Sequence, residues 1–276
     1  MIYSAAIAFT LWILFPLWFT VLSSLTSPGA IGKIPAPLWP ASPTLDNFKE
    51  VFGLAGDDTA SATSKLSRVV VGMGHSLMVS TVLVAIDLVI AGAAAYAISR
   101  FPFRGSRTFF GFVVISRVVP GIAIIGPFFV AFRVTNVLDH PLLALVISYN
   151  VFTLPLAIML LKNYFDQVPR EIEEAAAVDG ASNLRTLLVI IAPLAVPGAV
   201  ATGVLVFMEA WSELFFALTL TSDYTTPPIL AGFQSLQHFN WTVLAAATVV
   251  TLIPPVVITM VFQRYVVTAL TQGSGK

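Results

Sequence analysis

Residues 171–197 read EIEEAAAVDGASNLRTLLVIIAPLAVP, and the organisation of the whole chain follows from this stretch. It is the longest polar-bearing segment with helical character, and it lies between two apolar spans. Arg170, Glu171, Glu173, Glu174 and Asp179 crowd its start. The pattern predicts a short helix over 174–178, a break at Asp179-Gly180 and a second helix from about Ser182. Glycine suits the break because it takes positive φ without steric cost. Ser182 can cap the second helix by accepting a backbone N–H.

The surroundings of this elbow are lipid. Hydrophobic residues make up 57% of the 276 and charged residues only 10%, where a soluble domain carries about 25% charge. Mean hydropathy is +0.91. The chain is therefore an all-α, polytopic membrane protein. Its net charge of zero argues against a nucleic-acid partner. With no cysteine there is no disulfide, thiol chemistry or cysteine metal site. His75, His140 and His238 are too scattered to hold a metal, so no metal site is expected.

Six transmembrane helices are expected, at about 5–25, 72–99, 108–132, 142–161, 198–220 and 241–262, in a single domain covering 1–276. The first lacks a basic lead, so it is no cleavable signal, and the short start fits one trimmed or placed late. Residues 26–68 form a proline-rich external segment. In it Thr44 is placed to cap a short helix, and 57–67 read as small, polar and mobile. The run Gly92-Ala93-Ala94-Ala95 invites a close helix neighbour. The cytoplasmic loop is about 163–196 and the cytoplasmic tail 263–276, with 268–276 read as flexible. Loops on the elbow's side carry eight Lys/Arg against five on the other. The positive-inside rule thus puts the elbow and both termini in the cytoplasm.

Glu174-Ala175-Ala176, then Gly180, then Ile190 and Ala192-Pro193 match the signature loop of ABC importer permeases: EAA, three residues, Gly, nine residues, Ile, one residue, Leu, Pro. Only the Leu departs, as Ala192, which removes apolar bulk from the second helix. The chain resembles the binding-protein-dependent, maltose-permease type of this family in its span pattern and in its end, Ala269-Leu270-Thr271-Gln272-Gly273. The resemblance implies an ABC-importer permease fold in a prokaryotic cell membrane, with substrate a sugar, oligosaccharide or polyol. It implies a loop docked on a separate ATPase dimer, with Glu171, Glu174, Ala175, Ala176, Asp179, Gly180, Ile190 and Pro193 as coupling residues, and Leu270, Thr271 and Gly273 reaching toward the same partner. It further implies a second permease subunit, a different chain, and an extracytoplasmic substrate-binding protein facing outer loops such as 234–241. The sequence has no GxxxxGK[ST] phosphate loop. This chain is then a non-catalytic subunit that binds no cofactor, and ATP and Mg belong to the ATPase.

Four charges fall inside the spans: Asp87, Arg117, Glu209 and Glu213. Each costs roughly 2.5–3.5 kcal/mol unless paired or wet. Asp87 and Arg117 each lie thirteen residues from the tight turn between spans two and three, delimited by Arg100 and Arg104. At 1.5 Å per residue both are roughly 20 Å deep. An Asp87–Arg117 ion pair is expected, with Glu209 as the rival partner for Arg117. Glu209 and Glu213, four apart, should share a face bordering water or a cation. With Trp211 they are candidates for the translocation path, and packing against the second subunit is the plainer alternative. The rival class is a proton-coupled secondary transporter using Asp87, Arg117, Glu209 and Glu213 as a relay. That architecture favours matching repeats with broken helices, and no sequence repeat is evident.

Overall fold

The structure is a computed structural model that describes residues 2–272 except 32–38, 41, 55–59, 102, 222–223 and 233–239. All regular structure among the described residues is helical. In chain order the helices are α1 (Ile2–Ser24), α2 (Asp46–Val51), α3 (Ala60–Arg100), α4 (Ser106–Ser116), α5 (Gly121–Val134), α6 (Pro141–Gln167) and α7 (Arg170–Val178). Then follow α8 (Asn183–Arg185), a π-helical stretch (Thr186–Ile191), α9 (Ala192–Leu194), α10 (Val196–Trp211), α11 (Phe215–Leu220), α12 (Thr226–Gly232) and α13 (Trp241–Gln272). Short 3₁₀ turns occupy Pro28–Ala30 and Val137–Asp139.

Four segments are each long and apolar enough to cross a membrane: Tyr3–Ser24, Arg68–Arg100, Pro141–Gln167 and Trp241–Val267. Two further crossings are bent pairs, α4 with α5 at 94° and Asn183–Leu194 with Val196–Trp211 at 76°. Counting each pair as one span gives the expected six. The first bend has a local cause. A residue before proline avoids the α conformation, so the chain leaves the helix ahead of Pro120, which is extended (φ −67°, ψ 127°) and starts α5.

Three boundaries differ from expectation. Helix α3 begins at Ala60, so 60–67 are helical rather than loose. At 41 residues and 1.5 Å each, α3 is about 60 Å long, twice the hydrocarbon thickness of about 30 Å. Helix α13 likewise continues to Gln272, which puts Leu270 and Thr271 on a helix instead of a flexible tail. Gly273 lies outside the described residues, as do 57–59 and most of the outer stretch 234–241. Span five ends as a helix at Trp211 and restarts at Phe215.

Contacts divide the chain into two units, Met1–His75 with Asp223–Pro254, and Ser76–Ser222 with Pro255–Lys276. In the first, Val51, Val69, Ile229, Val243, Ala246, Ala247 and Val250 form a buried cluster. Buried Asn47 ties its elements together. Its Nδ2 donates to the carbonyls of Ser24 (2.8 Å) and Thr26 (2.9 Å), and its Oδ1 accepts from Thr242 Oγ1 (2.8 Å). Thr44 Oγ1 accepts the first N–H of α2, from Asp46 (3.1 Å), but from one position outside the N-cap, which Leu45 holds without a side-chain bond. His75 stacks on Tyr224 at 4.0 Å and meets the Tyr224 carbonyl at 2.9 Å through Nδ1, a satisfied residue rather than a ligand. Most of α1 shows apolar side chains outward, Trp12 at 73% exposure, as a helix meeting lipid or another subunit does.

In the second unit α6 packs along α10. Tyr149, Leu83, Leu145, Val206 and Phe216 are fully buried there. Close approach is served by glycines other than the one expected. A Cβ at Gly198 would fall inside the Tyr164 ring, and one at Gly203 would lie 3.3 Å from Val84, whereas Gly92 faces open space.

Candidate functional site

The elbow forms as a helix-turn-helix with each junction chemically specified. Pro169 is extended and precedes α7, and Glu171 and Glu173 sit in its first turn, where carboxylates meet the positive end of the helix dipole. The far end is a Schellman closure. Gly180 has φ +80°, its N–H donates to Ala177 O (3.0 Å), and the Ala181 N–H donates to Ala176 O (2.9 Å). Ser182 is extended and its Oγ accepts from Arg185 N at 3.4 Å. The glycine break and the serine cap thus stand where the sequence put them. The second helix does not run on regularly, because 186–191 widen into a π turn before the 76° bend at Ala195. The first helix also starts earlier than expected, at Arg170.

Within α7 only Ala176 is buried; Glu171, Glu174, Ala175, Ala177 and Val178 are exposed. Asp179 and Gly180 are exposed too, while Ile190 is half-buried and Pro193 exposed. The outward face therefore mixes acids with bare apolar groups. Val178 is 87% and Leu184 65% exposed.

Sequence reasoning missed what holds the elbow down. Arg100, at the end of α3, has a side chain only 6% exposed and pairs through Nε with Glu173, itself 17% exposed. Its Nη2 donates to the carbonyls of Phe165 and Val168, both at 2.8 Å, which ends α6. Tyr96 Oη donates to the same Glu173 at 3.1 Å. Ser99 Oγ donates to Asp166 Oδ1 and Lys162 Nζ to Asp166 Oδ2, each at 2.5 Å. One guanidinium thus joins α3, α6 and α7. Arg100 had been counted only for its charge, and Glu173 passed over for its neighbours. No local signal pointed to this pair, since Arg100 and Glu173 lie 73 positions apart.

The intramembrane charges pair differently from expectation. Arg117 Nη1 donates to both oxygens of Glu209 at 3.1 Å and to Phe152 O at 2.7 Å. The Asp87–Arg117 pair is not formed. Asp87 is fully buried, and among the described residues neither of its oxygens has a hydrogen-bond partner. The depth arithmetic failed because α4 and α5 are not one straight rod. Arg117 caps α4 at the bend and swings toward α10, so the rival partner won.

Glu209 and Glu213 do not share a helix face either, since α10 stops between them. Glu209 meets its cation in Arg117. Glu213 instead turns back to accept the N–H groups of Phe216 (3.1 Å) and Ala217 (3.2 Å) at the start of α11. Trp211 is 8% exposed and stacks on Phe207 at 5.5 Å. Arg117, Glu209, Ser212, Glu213, Phe152 and Phe215 border an open cavity of about 570 Å³ that Trp211 does not line. No group of three or more potential metal ligands occurs among the described residues.

Comparison with known proteins adds to this geometry. Residues 88–272 match the family described as binding-protein-dependent transport system inner membrane component. The chain is 34% identical over 268 residues to the trehalose/maltose transport system permease protein MalG of Thermococcus litoralis, covering 95% of this chain and 91% of that one. It is 29% identical to the sulfoquinovosyl glycerol transport system permease protein SmoH of Agrobacterium fabrum, covering 95% and 89%. Among solved structures, a chain of a bacterial ABC transporter involved in import of the acidic polysaccharide alginate superposes with a TM-score of 0.73 at 24% identity, over 96% of this chain and 95% of that one. That last likeness concerns the fold.

Proposed function

We infer the function from one premise: the chain belongs to the family of binding-protein-dependent transport system inner membrane components. It is a multi-pass permease subunit of an ATP-driven ABC importer, and the cargo is a carbohydrate. The sugar reading draws on relatives that carry trehalose or maltose and sulfoquinovosyl glycerol in their names. The observation that carries the mechanism is the elbow, whose glycine-closed first helix turns Glu171, Glu174, Ala175 and Val178 outward while Arg100 grips it from behind.

In this reading the elbow docks into a separate ATPase. A narrow alanine face fits a cleft, Glu171 and Glu174 offer anions to donors on the motor, and Val178 and Leu184 supply apolar contact. ATP and Mg²⁺ stay on that ATPase, and this chain does no chemistry. A second permease subunit, a different chain, completes the pathway, and a substrate-binding protein delivers cargo from outside. The elbow and both termini face the cytoplasm, in keeping with the Lys/Arg excess on that side. ATP binding draws the paired elbows together. Arg100 makes α7 move with the ends of α3 and α6, so closure of the motor becomes a tilt of spans and alternates access to the path. The whole chain acts as one permease domain, with α13 reaching toward the motor.

Co-purification tests this. An ATPase should be recovered in stoichiometric amount, and sugar uptake into proteoliposomes should stop with its inhibition and survive an uncoupler. Uptake that survives ATPase inhibition and collapses with the uncoupler would favour a proton relay through Asp87, Arg117, Glu209 and Glu213 instead.

A further inference from the structure

We propose that the Arg117–Glu209 pair and the cavity beside it form a saccharide subsite on this chain, built for a neutral, hydroxyl-rich sugar rather than an acidic one. The inference rests on the importer reading and adds to it which residues meet the cargo and what charge that cargo carries.

Three observations converge. First, two helix breaks border one cavity. Arg117 stands at the α4–α5 bend, and Ser212 and Glu213 stand in the gap between α10 and α11. Non-helical backbone at membrane depth survives only where protein buries it or where it lines a wet cavity. A pocket of about 570 Å³ is also within the range of small-molecule sites, about 300–1,000 Å³.

Second, the guanidinium is only partly used. All three of its protein hydrogen bonds leave from Nη1. Nε and Nη2 have no partner among the described residues, and the side chain remains 31% exposed. Glu209, 28% exposed, likewise keeps lone pairs free on both oxygens. A fixed donor fork beside a fixed acceptor suits the alternating donor and acceptor character of vicinal hydroxyls. Phe152 and Phe215 on the same wall give apolar faces for the C–H side of a pyranose ring.

Third, the charges exclude an anion. Of the lining residues, Arg117 is positive while Glu209 and Glu213 are negative, so the sum is −1. The one cation is already neutralised by Glu209. A uronate or sulfonate would have to displace that carboxylate and crowd a third negative charge against Glu209 and Glu213. A neutral sugar needs no such exchange, and the pair can serve it while intact. The coupled pair also suits a transport site, where binding must be weak enough for release.

The experiment uses the intact complex in nanodiscs and equilibrium binding of tritiated trehalose, maltose and the acidic disaccharide cellobiouronic acid, without binding protein. Wild type should bind a neutral disaccharide in preference to the uronate. Arg117→Gln and Glu209→Gln should each weaken neutral-sugar binding about tenfold, or about 1.4 kcal/mol. Glu209→Gln should also raise the uronate-to-neutral ratio about tenfold, because the released guanidinium then faces the ligand. A purely structural pair would leave that ratio unmoved. Arg117→Lys, which retains the charge but not the planar fork, is the second variant should Glu209→Gln assemble poorly, and it should reduce neutral-sugar binding alone. The proposal is overturned if no neutral disaccharide binds wild type, or if the variants lower both ligand classes equally. Either result, with the ATPase still co-purifying, leaves the importer reading intact; absence of the ATPase would remove the reading beneath it.

Discussion

Replacing Arg100 by Met should release the elbow without unfolding the spans. A nine-residue helix does not hold itself together in water, where isolated helices shorter than about 12–15 residues are marginal. Ala176 is the only buried residue of α7, so apolar packing contributes little and polar ties hold it: chiefly Arg100 on Glu173, with the longer Arg170 Nη2 to Ser99 carbonyl bond (3.4 Å) as the weaker second. Removing Arg100 leaves Glu173 with the Tyr96 hydroxyl, takes the guanidinium from the Val168 carbonyl, and leaves the Phe165 carbonyl with the Val168 N–H alone. Breaking one side of a buried pair costs about 3–5 kcal/mol. Glu173 is 17% exposed, so water can repair part of the loss and about 3 kcal/mol is the fitting figure. Amide exchange measured by mass spectrometry on the nanodisc complex reads this directly. Peptides covering α7 should exchange about a hundredfold faster in Arg100→Met, with those from the middle of α6 unchanged. Glu173→Gln retains shape and acceptor and should give a smaller change, about tenfold. An α7 that exchanges at the wild-type rate in Arg100→Met would refute the claim that this guanidinium holds the elbow.

Other substitutions test separate joints. Gly180→Val forces a β-branched residue to φ +80°, a cost of about 1–2 kcal/mol. Assembly should persist while substrate-stimulated ATP turnover becomes uncoupled from uptake; normal uptake would count against the hinge. Gly198→Ala drives a Cβ into the Tyr164 ring and should lower thermal stability by about 1–3 kcal/mol of overpacking, most of it recovered in a Tyr164→Ala background. Glu213→Ala strips the start of α11 of its acceptor and should destabilise by about 0.5–2 kcal/mol, seen as faster exchange of the Phe216 and Ala217 amides. Asn47→Leu leaves the buried Ser24 and Thr26 carbonyls unsatisfied. Each should cost about 1–3 kcal/mol, and a melting temperature equal to wild type would contradict the bonding seen.

What was legible followed from chemistry local to the chain. The crossings rest on apolar runs, the elbow on a glycine at a positive φ, and its second helix on a serine acceptor. Each depends on residues within one turn of one another, so a linear reading captures it. Pro120 lies within span three, and the break comes there as proline chemistry requires. The size of the bend was not legible, because it depends on what the two halves pack against. That angle made the depth of Arg117 unreadable and gave the pair to Glu209.

The same division sets sequence apart from tertiary structure in this protein. Composition and local pattern by themselves determined a polytopic helical protein with a glycine-closed elbow, because hydrophobicity and backbone permissiveness are properties of single residues and short windows; that it is an importer subunit came from the family likeness of the spaced EAA-Gly-Ile-Pro residues. Which charge meets which was decided only in three dimensions. Arg100 reaches Glu173 across 73 positions and Arg117 reaches Glu209 across 92, and no local preference encodes such partners. They are selected by desolvation: a charge carried into an apolar bundle must be met by whichever opposite group the bends of the helices bring within reach.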